Sequence, residues 1–257
     1  MWRDTPPIVI FSPSHLAVLG GALGTSVLLL LLSRRASPWA QSGERTLAIL
    51  LLLAFPLRFG VAASMGALDA DNILPLQYCD VAALVAGFAL LLRRQMLVEI
   101  AYFWGMSGTL NGLLTPNLQH DFPHPEFFVF FLLHAGVVIA AFHLTISWRC
   151  WPRWKGVWLA WGWSAVYLTV VATVNLLMGS NYAFICRRPD NPSLFDKMPA
   201  PPSPAQILVL AGLSLTFYLV LYLPFGIARW RNRLAPSCFT GRSIEAGRTA
   251  AIRVETA

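Results

Sequence analysis

The chain has 257 residues, of which 56% are hydrophobic and only 12% charged, with a formal net charge of +7 and a positive mean hydropathy. That is more apolar surface than one soluble core of this size can hide, which excludes a water-soluble globular domain and predicts a multi-span membrane protein. The basic residues stand in short clusters directly after apolar runs, as orientation signals do, so no nucleic-acid partner is expected.

Seven apolar segments of roughly 18 to 23 residues follow one another, each long enough at ~1.5 Å per residue to cross ~30 Å of hydrocarbon. The first, 14–33, is read as a retained span, because the preceding "MWRDTPP" has no basic n-region and no small-residue cleavage site is seen. The second, 46–63, contains Pro56 and Arg58. The third, 74–92, is the least apolar: its uninterrupted run is Val81 to Leu92, so it spans only if Gln77, Cys79 and Asp80 belong to the helix, with Pro75 at the first helical position. The fourth, 96–115, is joined to it by "RRQ" alone, which predicts a tight helical hairpin. The remaining three are 127–148, 157–178 and 205–227. The fold class expected is therefore all-α, a seven-transmembrane-helix bundle over 1–233, followed by a polar tail, 234–257, read as disordered.

Orientation follows from Lys and Arg. After segments 1, 3, 5 and 7 come Arg34, Arg35, Arg45, Arg93, Arg94, Arg149, Arg153, Lys155, Arg229, Arg231 and Arg233. The other side carries Arg3, Arg187, Arg188 and Lys197. The positive-inside rule places the N-terminus outside and the tail in the cytoplasm, with a bacterial inner membrane the expected location. On the same rule Cys150 and Cys238 face the cytoplasm and are expected to stay reduced.

On this topology the polar residues inside the spans share one outward layer. Cys79 and Asp80 lie about 7 to 9 Å below the outer surface, Asn111 about 6 Å, His134 about 11 Å and Asn175 about 5 Å. Ser107, Asn111 and Thr115 fall on one helix face, with Gly108 and Gly112 beside them to admit a neighbouring helix. The inner halves read as almost free of polar groups. Ionisable groups within spans cost at least ~2.5 to 3.5 kcal/mol near the helix centre, so such residues tend to mark a pathway or a site.

Each has a plainer reading. Asp80 pairs with Arg58, Asn111 and Asn175 act as interhelical glue, and His143 is a packed or backbone-bonded histidine. Cys79 is a small packing residue or forms a disulfide with Cys186. Against these stands chemistry: a thiol at a helix N-terminus has its thiolate stabilised by unpaired N–H groups, and a histidine at similar depth, His134, can take its proton. The five histidines are read as offering neither HxxxH nor HExxH spacing, and neither a metal nor a cofactor is expected.

The strings "LPLQYCD", "YFWGMSGTLNGLLTPNL", "FFVFFLLHAG" and "NLLMGSNYAFICRRPDNPSLFD", in that order, resemble the bacterial YwaF-type integral membrane proteins and their eukaryotic relatives, the transmembrane protein 164 acyltransferases. The resemblance covers roughly Leu74 to Phe225 and implies a seven-helix fold. For the eukaryotic branch it implies CoA-independent transfer of a fatty acyl chain from a phospholipid to a lysophospholipid through a cysteine. The family cysteine falls on Cys79 and its histidine on His134, while Gln77 stands where the pattern more often has histidine.

The expected mechanism is ping-pong: Cys79 attacks the ester, His134 moves the proton, and Asn111 or Asn175 donates to the oxyanion, with Asp80 and Thr115 as polar support. Water in place of lysolipid would make the protein a lipid hydrolase. Asn117, His120, Asn181, Arg187 and Arg188 are the head-group candidates, arginine being the better phosphate ligand. The rival is a non-enzymatic seven-helix receptor, transporter or lipid-binding protein. A transporter should also carry polar groups in the inner half.

Overall fold

The computed structural model describes residues 5–35, 37–189 and 194–231; the tail expected over 234–257, with Arg233 and Cys238, lies outside the described residues. The helices are α1 (Pro13–Arg34), α2 (Pro38–Met65), α3 (Tyr78–Leu92), α4 (Gln95–Trp104), α5 (Leu110–Leu114), α6 (Pro125–Ile146), α7 (Trp154–Met178) and α8 (Pro204–Trp230). A π-helical turn, Gly105–Thr109, joins α4 to α5 with right-handed helical backbone at both junctions, so these three pieces make one rod. Among the described residues there is no strand.

Local sequence explains the helix starts. α1, α2, α6 and α8 each open with a capping residue followed by proline: Ser12 and Pro13, Ser37 and Pro38, His124 and Pro125, Ser203 and Pro204. Proline at the first position loses no hydrogen bond, and the preceding side chain accepts from an otherwise orphaned N–H. α2 runs through Pro56 without interruption and ends at Gly66, whose φ of 68° admits the left-handed stop.

Five helices (α1, α2, α6, α7 and α8) are long and apolar enough to cross a bilayer. α3 differs from the sequence expectation. It starts at Tyr78 and not at 74–76, and Pro75 lies in the preceding loop. Its 15 residues give ~22 Å, short of ~30 Å of hydrocarbon.

α6 is the innermost long helix: 72% of its most apolar window is buried, against 6% for α1 and for α8. It packs on α1, α2, α3 and α4. Small residues permit this. A Cβ added at Gly87 of α3 would lie 2.9 Å from Leu52 Cγ and 3.2 Å from the Ala48 carbonyl, so α2 and α3 approach at a distance only glycine allows.

The helices give the bundle two ends. One gathers the starts of α1, α3, α6 and α8, and Cys79 with them. The opposite end is more polar than expected. There the Glu44 carboxylate accepts from His143 Nε2 at 2.8 Å, from Trp148 Nε1 at 2.9 Å and from Arg93 at 3.3 Å. Glu99, fully buried, takes both a backbone and a side-chain bond from Arg153 on one oxygen and a second guanidinium bond on the other. His143 is thus bonded to a carboxylate and not to backbone. The expectation of nearly apolar inner halves fails because these acids sit at the margins of apolar runs, where they read as flanks. Cys150 is buried and disulfide-bonded, which corrects the expectation that it stays reduced.

Candidate active site

Two loops cover the start of α3. Glycines in the left-handed conformation, Gly66 and Gly179, end α2 and α7 and turn the chain into them. Asp71 ties the loops together, one oxygen accepting from the Asn181 amide N–H at 2.7 Å and the other from Arg187 at 2.8 Å. The Tyr182 hydroxyl accepts from Leu74 N–H at 3.0 Å. Gln77 bridges both loops, donating to the Asp71 carbonyl and accepting from Ala183 N–H. Ala183 and Phe184 both have positive φ, 58° and 53°. Strain of this kind costs on the order of 1 kcal/mol or more per residue and persists only where surrounding bonds impose it.

Four of the candidate site residues are bound up in this cover. The Asn175 amide oxygen accepts from Ser180 Oγ and Tyr182 N–H while its nitrogen donates to the Tyr182 carbonyl. Asn181 accepts from Cys186 and Arg187 N–H and donates to the Arg187 carbonyl. Arg187 pairs with Asp71, as above, and Arg188 donates to the Met198 carbonyl at 3.0 Å.

Beneath the cover α3 begins. Gln77 occupies the cap position, but its side chain serves the loops and makes no capping bond. Cys79 is the second helical residue, where backbone N–H groups lack intrahelical acceptors. Its thiol is free and half-buried, and Cys186 is likewise free, so the disulfide between them is not formed. Asp80, 2% exposed, receives Arg58 at 2.8 Å.

His134 lies one turn below Phe130 on α6, stacked on its ring at 4.0 Å. Its Nδ1 lies 2.8 Å from the Phe130 carbonyl. A carbonyl only accepts, so Nδ1 carries the hydrogen and neutral His134 presents a bare lone pair at Nε2. That edge faces α5: a Cβ at Gly112 would stand 2.9 Å from Nε2. One turn away, a Cβ at Gly108 would strike the Tyr78 ring. The rod made by α4, the π-turn and α5 therefore receives the residue next to Cys79 and the imidazole of His134 on one glycine face. No hydrogen bond joins Cys79 to His134 among the described residues.

Asn111, on α5, and Thr115, which caps its end, are exposed, and no hydrogen bond from the Asn111 amide occurs among the described residues. Thr115 Oγ1 donates to the Asn111 carbonyl. Asn117 is exposed; His120 Nδ1 meets Glu126 at 3.0 Å. His124 stacks on His120 at 4.0 Å. Burial, then the neighbouring His120, holds His124 below the ordinary histidine range against the pull of Glu126.

Sequence reasoning missed the π-turn and its surroundings. Trp104 Nε1 donates to Ser164 Oγ, which also bonds the Tyr218 hydroxyl, while Tyr78 packs between Trp104 and Tyr167. The close glycines of "GMSG" were the available signal, since π-turns recur at functional sites.

An all-helical chain with several helices able to cross a bilayer, and a thiol, a carboxylate and an imidazole held in or near them, is a multi-pass membrane protein with a polar site at one end. A family model described as the TMEM164 family matches residues 10–222, and the chain belongs to that family. No curated protein and no solved structure gives a significant match.

Proposed function

We propose that this protein is a membrane-embedded, cysteine-dependent acyltransferase that moves a fatty acyl chain between phospholipid and lysophospholipid. The observation that carries the reading is the His134 imidazole, its Nδ1–H spent on the Phe130 carbonyl and its Nε2 lone pair set against Gly112, one turn from the Gly108 that receives Tyr78. A histidine so held is fixed in the tautomer that leaves Nε2 as the basic nitrogen, which a general base requires.

The bundle has seven spans over 1–233, the N-terminus outside and the 234–257 tail cytoplasmic, in a bacterial inner membrane. α3 crosses despite its length because the covered loops extend it. Cys79 Sγ gives its proton to His134 Nε2 and attacks the ester carbonyl. The tetrahedral oxyanion accepts from the Asn111 amide, the uncommitted one of the two candidates, since Asn175 is bound to Tyr182 and Ser180. The carbon–oxygen bond breaks, His134 returns the proton to the departing lysolipid oxygen, and a thioester remains on Cys79. A lysolipid hydroxyl then attacks it by the reverse route. Water in its place gives a free fatty acid and hydrolase activity. Thr115, Asn117, His120, Arg187 and Arg188 would line the entry, Asp80 and Asn181 supporting it from buried positions, with Arg187, its side chain 61% exposed, the best phosphate ligand.

The transporter reading gains something from the polar groups around Glu44 and Glu99. Both carboxylates are committed to local partners, Glu44 to His143, Trp148 and Arg93 and Glu99 to Arg153, and Ala83, Ala86, Val137 and Ala140 belong to the apolar core. A closed apolar plug favours a one-sided site.

The test is chemical. Protein incubated with phospholipid should carry a hydroxylamine-labile thioester that Cys79→Ala lacks, and His134→Ala should slow its formation by on the order of 10²- to 10⁴-fold. Equal labelling of wild type and Cys79→Ala overturns the mechanism.

A further inference from the structure

The turn before α6 reads "HDFPHPE", with His120 and His124 four residues apart and Glu126 two further on. His120 and His124 stand in HxxxH spacing, which corrects the expectation that the histidines offer neither HxxxH nor HExxH and that a metal is therefore absent. The fold gathers all three. One atom from each of His120, His124 and Glu126 lies within 4.8 Å of the others. The convergence is on a single carboxylate oxygen: Glu126 Oε2 stands 3.0 Å from His120 Nδ1 and 3.8 Å from His124 Nδ1.

We propose that His120, His124 and Glu126 form a binding site for a divalent transition metal of the zinc class, at the start of α6. Two imidazoles and a carboxylate are the donor set that zinc takes at ~2.0 to 2.2 Å in sites that keep a fourth position open. Tetrahedral coordination at that radius sets ligand atoms about 3.3 Å apart. The two contacts to Glu126 straddle that value, and the imidazoles close on each other by about 1.5 Å at most from the 4.8 Å limit. His120 and Glu126 have side chains 27% and 31% exposed, so His120 has room to swing out of its stack on His124 and the fourth position opens to water.

Two features oppose a cation here, and both are small. The positive end of α6 repels it, and the negative Glu126 carboxylate in direct contact opposes that repulsion. The His124 cap would also be displaced, but its bond from Glu126 N–H is long at 3.3 Å. A bound metal would clamp the 115–124 loop to the helix that carries His134, eight residues below Glu126.

The probe is Co²⁺, titrated into detergent-purified protein without a polyhistidine tag. Wild type should bind one equivalent with visible d–d bands of a nitrogen and oxygen site, Zn²⁺ should displace it, and Zn²⁺ should raise the unfolding temperature. His120→Ala and the isosteric Glu126→Gln should each weaken binding by at least about 100-fold, while His134→Ala leaves it unchanged. Should His120→Ala fail to fold, Glu126→Gln decides alone. No stoichiometric binding by wild type, unchanged affinity in Glu126→Gln, or a sulfur-to-cobalt charge-transfer band placing the metal on a thiol would each overturn the site. None of these readouts depends on acyl transfer.

Discussion

Gly112 decides whether His134 can work. A methyl group there would lie 2.8 Å from His134 Cδ2 and 2.9 Å from Nε2, closer than real Cβ contacts come, so the ring must move. Displacing a reacting group by ~1 Å costs about 10²-fold. Gly112→Ala is therefore expected to cut thioester formation about 100-fold while circular dichroism of the purified protein stays unchanged; full activity would remove His134 from the chemistry. This pair shows what sequence reading could and could not reach. His134 stood out because an imidazole in an apolar run is costly, and Gly112 was noted as a place where a helix approaches. That the approaching group is His134 itself depends on the rotation of α6, which no local pattern encodes. Asn175 misled for the same reason: its amide is committed to Ser180 and Tyr182, beyond the helix end, and only the loop's return reveals it.

At the level of elements, Arg58 is what holds α2 to the first turn of α3. Its bond to Asp80 at 2.8 Å joins a half-exposed guanidinium to a carboxylate that is 2% exposed. Removing one partner of a buried pair costs about 3 to 5 kcal/mol because the other charge is left stranded, whereas replacing both is often near neutral. Arg58→Met alone should therefore lower the unfolding temperature in detergent more than Arg58→Met with Asp80→Leu, the double variant recovering much of the loss. If the double variant is the less stable, the pair is a net stabiliser and not merely compensated. The partnership was legible, since both residues are charges in apolar segments. The start of α3 was not. Hydropathy continues through Leu74 and Leu76, yet the backbone there is pulled into the loops by Tyr182, Asp71 and Gln77, and such long-range bonds leave no periodic trace.

For the whole molecule, the apolar runs and their basic flanks made the helical membrane class legible, while the acids at their margins hid the polar end around Glu44 and Glu99. Those acids bear on orientation. Arg93 and Arg153, counted as free basic flanks, are paired with Glu44 and Glu99. The remaining basic residues at that end, Arg34, Arg35, Arg45, Arg94, Arg149, Lys155, Arg229 and Arg231, still exceed Arg187, Arg188 and Lys197 at the Cys79 end. The positive-inside bias survives the correction, and acidic residues contribute little to it in any case. Single cysteines in a background with the native ones replaced should settle the matter. Asn117→Cys is expected to react with an impermeant maleimide in intact cells, and Arg94→Cys and Arg231→Cys only after the membrane is opened. The reverse pattern would invert the bundle and turn the site around Cys79 toward the cytoplasmic leaflet, where the same chemistry would meet a different pool of lipid. A pattern placing Arg94 and Arg231 on opposite sides would mean that the α4 to α5 rod, α6, α7 or α8 does not cross, and would rule out the proposed seven spans.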